Sequence, residues 1–238
     1  MLGLSVEQVG PCLRLRMNQP ERGNVLDAAM LRSLLSVYAS LPDRPDVRVV
    51  VLSGAGPNFC EGVDRGELAA LERDDALSVA ELGRRLCEAI STADAVTVVR
   101  VQGRVAGAGL ALMLACDLRL AASDTVFRLP ELVLGLPPCW GGAGPRLLAE
   151  IGPARTRELV LLGEPMAAAE AAQVGLVNRV GDTAELDAVE RRWTGRLARN
   201  RAPASRIARA QLRAYSRRDV LGDLTELEST LLAASLSS

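Results

Sequence analysis

Val96-Thr97-Val98-Val99-Arg100-Val101-Gln102-Gly103-Arg104-Val105-Ala106-Gly107-Ala108-Gly109-Leu110 is the stretch whose reading decides the fold. Its first six residues form an apolar, β-branched run of strand length. Glycines at 103, 107 and 109 then punctuate a turn, and the apolar run that follows is expected to be helical to about Cys116. A buried strand that passes through such a turn into a helix is the repeating unit of an α/β fold. The first N–H groups of a helix lack intrahelical partners and carry the positive end of its dipole. Ala108 N–H is therefore a candidate donor to negative charge developing on a bound molecule. The competing reading is that the small residues only allow close helix packing. A dinucleotide loop is excluded, because the three glycines do not make G-x-G-x-x-G.

Upstream, Leu13 to Met17 and Val47 to Ser53 read as short strands, the second apolar throughout and hence buried. Between them Asp27 is the expected N-cap of an amphipathic helix that runs through Leu41 and is ended by Pro42. Leu82, Leu86 and Ile90 make one stripe of a second helix, expected over residues 77–93. After Asp182 alanine, leucine, arginine and glutamate dominate, with Pro203 the only clear breaker. That shift divides the chain into an expected core, 1–182, and a helical C-terminal section, 183–238.

Composition restricts the chemistry. Of 238 residues, 49% are hydrophobic and 24% charged, and the net charge of −1 offers no basic excess for nucleic acid. The sequence has no histidine and no lysine. Histidine-based nucleophile systems, histidine-ligated metals, Schiff-base chemistry and a P-loop lysine are all excluded. The five cysteines are widely spaced without a C-x-x-C pair, so neither a disulfide framework nor a zinc knuckle is expected. The longest apolar run, Val105 to Cys116, stops at Asp117. It is well short of the roughly 20 residues that cross a bilayer. With no signal-peptide pattern at the start, the expected location is the cytoplasm.

Two more segments carry chemistry. In Phe59-Cys60-Glu61-Gly62-Val63-Asp64 a glycine precedes the N–H of Val63, which lets that donor turn toward a ligand, although a plain structural turn reads equally from the residues. In Phe127-Arg128-Leu129-Pro130-Glu131-Leu132-Val133-Leu134-Gly135-Leu136-Pro137 one carboxylate sits among apolar residues. Desolvation would raise its pKa into the range useful for proton transfer. The competing reading is a helix cap next to Pro130.

In order and spacing these three segments resemble the crotonase superfamily, also called the enoyl-CoA hydratase/isomerase family. The resemblance extends to Asn18-Gln19-Pro20-Glu21-Arg22-Gly23-Asn24-Val25-Leu26, to Ala115-Cys116-Asp117-Leu118-Arg119-Leu120-Ala121, and to the stretch from Gly163 to Asn178. It implies an α/β crotonase-type spiral of ββα units with a helical C-terminal trimerisation section, assembled as a homotrimer or hexamer. It implies an enzyme acting on an acyl-CoA or acyl-carrier-protein thioester. The coenzyme A or phosphopantetheine is then part of the substrate, with no separate cofactor, metal, nucleic acid or membrane partner. Carried over by position, the oxyanion-hole donors are the N–H groups of Val63 and Ala108. The thioester-binding loops are Gly62, Asp64, Arg65, Gly66 and Gly107, and the general acid/base is Glu131. Leu136, Trp140 and Ala111 fall on the acyl pocket, with a core tryptophan the alternative for Trp140. Ala111 stands where two-glutamate hydratases carry their first glutamate. The missing carboxylate tilts the expected chemistry toward isomerisation or a specialised dehydration, with Glu61 and Asp64 as nearby candidates to substitute. Dehydration or decarboxylation of a carrier-bound acyl group, and a catalytically idle scaffold, are the alternatives.

Overall fold

Strand β3, Val49–Gly54, shows why the sheet has two covered faces. Val50 and Leu52 point into the main core, whereas Val49 and Val51 join Val98, Leu120 and Leu186 in a second cluster. A strand buried on both faces must be apolar at successive positions, which is how VVVL reads. These relations come from a computed structural model that describes residues 3–64, 73–138 and 140–216.

The larger sheet has six strands in the order β1-β2-β3-β4-β6-β9: β1 Leu4–Val9, β2 Cys12–Met17, β3, β4 Val96–Val101, β6 Leu118–Ala122 and β9 Arg179–Gly181. All neighbouring strands are parallel except the β1–β2 hairpin. A smaller sheet joins β5 Arg104–Ala106, β7 Val126–Arg128 and β8 Met166–Ala167. The chain therefore steps from a long strand to a short strand of the second sheet and then into a helix, as in β4, β5 and α3 (Ala108–Leu114).

Helix α1, Ala28–Ala39, starts at Asp27, whose side chain accepts from Met30 N–H at 2.7 Å. It ends two residues before the expected Leu41, because Pro42 converts the continuation into a 3₁₀ turn, Leu41–Asp43. Helix α2, Arg73–Thr92, buries Leu86 and Ile90, and Leu82 packs against the same core. All seven residues of α3 are buried. Helices α4 (Ala143–Arg157) and α5 (Ala168–Gln173) follow. The helical reading after Asp182 holds through α6, Thr183–Arg199, and α7, Ala202–Ser216. Asp182 closes a capping box with Glu185, and Pro203 sits in the first turn of α7, where its missing N–H is harmless. No described helix is long and apolar enough to cross a membrane.

Candidate active site

The loop after β3 and the turn before α3 are tied to each other by backbone. Ala106 N–H donates to the Cys60 carbonyl at 3.0 Å, and Cys60 and Val105 form a parallel bridge. On its other flank the same loop is held by Leu26, whose N–H donates to the Gly62 carbonyl at 2.8 Å. That bond uses the carbonyl before Val63 and leaves Val63 N–H without a backbone acceptor among the described residues. Ala108 N–H, at the first position of α3, is likewise without one.

Gly62 has a φ of +101°, and a Cβ added to it would lie 3.2 Å from the Ala106 carbonyl oxygen and 3.7 Å from Ala108 N. The residue that precedes one donor thus rests on the other donor. Both requirements, positive φ and close approach, select glycine.

Glu131 also reaches this point, its Oε1 2.8 Å from where a Cβ on Gly107 would stand. Gly107 N–H donates to the Arg128 carbonyl at 3.0 Å, drawing the segment after β7 onto the turn. The Glu131 carbonyl accepts from Leu134 N–H at 3.0 Å and Leu136 N–H at 2.8 Å, which fixes its backbone above the 3₁₀ turn Leu132–Leu134. Glu131 caps nothing with its side chain, so the capping alternative is not realised. Its Oε2 is shut off from solvent and has no hydrogen-bond partner among the described residues. Burial pushes the carboxyl up to about 7, offset in part by a hydrogen bond with its own backbone. A desolvated carboxyl with one oxygen unsatisfied can both take and return a proton near neutral pH.

Gly62, Val63, Gly107, Ala108 and Glu131 are therefore neighbours, although up to 69 residues separate them in sequence (131 minus 62). This is the arrangement that two donors and one proton carrier would need. The profile of the enoyl-CoA hydratase/isomerase family matches residues 9–238. The chain belongs to that family. It is 34% identical over 167 residues to the putative enoyl-CoA hydratase/isomerase YngF of Bacillus subtilis, a match covering 70% of this chain and 64% of YngF. It is 31% identical over 198 residues to the probable enoyl-CoA hydratase echA8 of Mycobacterium tuberculosis, covering 82% of this chain and 75% of that protein. Among solved structures, the enoyl-CoA hydratase from Mycobacterium avium subsp. paratuberculosis K-10 superposes with a TM-score of 0.90 at 28% identity, covering 100% of this chain and 95% of that one. The crotonase-type α/β fold expected from the motifs is the fold of the chain.

Within the family frame, the remaining site residues sort by contact. Ala111 is fully buried on α3, and Trp140 belongs to the core with 6% exposure. Leu136 is partly buried against the same core. Arg65 and Gly66 lie outside the described residues. The two carboxylates considered as substitutes for the missing glutamate are engaged elsewhere. Asp64 pairs with Arg22, which also holds Asp27 at 2.9 Å. Glu61 accepts from Asn58 at 2.6 Å and pairs with Arg104 at 3.3 Å. Cys60 and Cys116 are poor nucleophiles, because burial pushes Cys60 up to about 12 and raises Cys116 as well.

Sequence reasoning missed Asn24 as the residue that builds the loop. Its amide donates to the carbonyls of Ala55 at 2.8 Å and Asn58 at 2.9 Å, and its Oδ1 accepts from Gln19 N–H at 2.9 Å. It is fully buried with a φ of +51°, a conformation that asparagine tolerates better than most residues. The available signal was its place in the Asn18 to Leu26 motif.

Proposed function

We propose that the chain is an enoyl-CoA isomerase-type enzyme in which Glu131 alone carries the proton. In this reading the thioester oxygen accepts hydrogen bonds from Val63 N–H and Ala108 N–H. Glu131, as carboxylate, takes a proton from C2 of a 3-enoyl thioester. The C2–H electron pair becomes a dienolate whose charge rests on that oxygen. The protonated Glu131 then delivers the proton to C4, and the double bond ends between C2 and C3. Nothing is consumed, and the carboxylate is restored.

The observation that carries the reading is the desolvated carboxyl of Glu131 against Gly107, its Oε2 without a partner among the described residues, next to an N–H with no backbone acceptor among them. Two aligned donors on a developing oxyanion supply several kcal/mol. Hydration is disfavoured because it ordinarily needs a second carboxylate to activate water. Position 111 is alanine, and Glu61 and Asp64 are both bound by arginines. An idle scaffold is disfavoured because such a protein has no use for a buried acid with an oxygen left unsatisfied. The CoA thioester is preferred to a carrier-bound one because the named relatives are enoyl-CoA enzymes.

The test is incubation with 3-enoyl- and 2-enoyl-CoA in heavy water, with a carrier-protein thioester in parallel. Deuterium should enter C2 and C4 with the CoA substrates, and Glu131→Gln should slow this about 10²–10⁴-fold. A change below threefold in a folded variant would refute the assignment. Exchange seen only with the carrier-protein thioester would overturn the choice of CoA.

A further inference from the structure

Gly83 and Cys87 lie one helical turn apart on one face of α2. That face receives Trp140 and Gly141. A Cβ at Gly83 would stand 2.2 Å from Cζ2 and 2.5 Å from Cη2 of the Trp140 ring. No left-handed backbone requires glycine at position 83, and glycine is a poor helix former, so its use there is to admit the indole. A Cβ at Gly141 would stand 2.6 Å from Cys87 Sγ and 3.5 Å from Ala111 Cβ. Ala111 follows Ala108 by three residues on α3, and residues at that spacing share a face. Gly141 also lines, with Arg84, Leu114 and Ala115, a cavity of about 530 Å³.

Resting on the thioester reading above, we propose that Trp140 determines acyl-chain length, its ring and the Gly141 backbone ending the pocket so that only short acyl chains fit. Ala111 has no solvent exposure, so a chain whose thioester oxygen sits on Ala108 N–H finds the path along α3 closed before that residue, with Gly141 packed beside it and the indole wedged against Gly83. Removing the ring lets this wall relax toward the cavity that Gly141 lines. Each additional methylene would then find apolar surface to cover instead of packed side chains.

The experiment measures binding of butanoyl-CoA and decanoyl-CoA, saturated thioesters with no double bond to shift, by calorimetry, together with turnover of the matching enoyl-CoA substrates. Wild type should favour the butanoyl group by at least about tenfold, and Trp140→Ala should reverse that order, a swing of about 10². Trp140→Phe, which leaves a smaller hole, should move the ratio in the same direction by less. Should Trp140→Ala fail to fold, judged by its melting transition, the Phe variant decides. A folded variant with an unchanged chain-length ratio, or wild type that takes both chains equally, overturns the proposal alone. Failure of wild type to bind either thioester sinks the thioester reading beneath it.

Discussion

Oε1 of Glu131 rests against the bare α-carbon of Gly107, where a Cβ would approach to 2.8 Å. The residue immediately before the Ala108 donor thus defines where the carboxyl can sit. Its φ of +51° adds a second reason for glycine.

Gly107→Ala should therefore damage chemistry more than folding. The methyl group would displace the carboxyl by a fraction of an ångström or more, and misplacement on that scale costs about 10² in rate. The backbone at φ +51° and ψ −119°, which suits only glycine, adds about 1–3 kcal/mol of instability. Proton exchange at C2 and the melting temperature, measured on one preparation, separate the two effects. Wild-type exchange in this variant would show that the Glu131–Gly107 contact does not position the acid.

The pH dependence follows from the raised pKa of Glu131, and its sign is opposite to that of a salt-bridged carboxylate. Folded, the group titrates at about 7; unfolded, it titrates in the ordinary carboxylate range. The native state thus holds the proton more tightly. The stability associated with this group is complete below the unfolded pKa and is lost as pH rises to about 7, by roughly 3 kcal/mol at most. Glu131→Gln should abolish that loss, so the variant gains on wild type between pH 5 and about pH 7 in denaturant titrations. Turnover limited by proton abstraction should rise with pH and level off above about 7. A flat stability difference across that interval would place the carboxyl in water.

Much of this was legible in the sequence because the signals were local. β-Branched runs gave β3 and β4, Asp27 gave a cap, and Gly62 and Gly107 stood beside the two donors. The short strands β5, β7, β8 and β9 were not legible. Two or three residues cannot show a period of two, and their pairing is set by partners far along the chain. Strand β1 was hidden for another reason: it is an edge strand exposed at five of its six positions, and its apolar residues Leu4, Val6 and Val9 do not keep a period of two. The wedge of Trp140 against Gly83 was equally out of reach. No local pattern links a glycine inside a helix to a tryptophan 57 residues later (140 minus 83).

Asn24→Ala should be among the most destabilising single changes outside the main hydrophobic core. It removes both donors from the Ala55 and Asn58 carbonyls and the acceptor for Gln19 N–H, in a side chain without solvent exposure. Leaving such groups unpaired costs about 1–3 kcal/mol each, with part recovered by water. A loss of about 3 kcal/mol in chemical denaturation is expected. Asn24→Asp, which keeps the acceptor but places a carboxylate before two carbonyls, should be no better. Because Asn24 braces the loop that carries Val63, affinity for a saturated acyl-CoA thioester should fall even at temperatures where the variant is folded. Unchanged affinity would mean that the loop holds its shape without it.

Ala111→Glu tests why one carboxylate is missing. In two-glutamate relatives of the resemblance this position carries the first acid, so restoring it invites the expectation of hydratase activity. The surroundings argue otherwise. Ala111 has no exposure, and Gly141 is packed so close that a Cβ added to it would lie 3.5 Å from Ala111 Cβ and 2.6 Å from Cys87 Sγ. A glutamate there must either overpack the α2–α3 contact, at about 1–3 kcal/mol, or bury a carboxyl without a partner at comparable cost. The single variant should melt earlier and hydrate 2-enoyl-CoA no faster than wild type. Adding Trp140→Ala vacates room for the new side chain, so the double variant should recover part of the lost stability and show a non-additive coupling of about 0.5–3 kcal/mol. Hydration gained by Ala111→Glu alone, with an unshifted melting temperature, would mean that the wall formed by Trp140 and Gly141 leaves space where the structure has none.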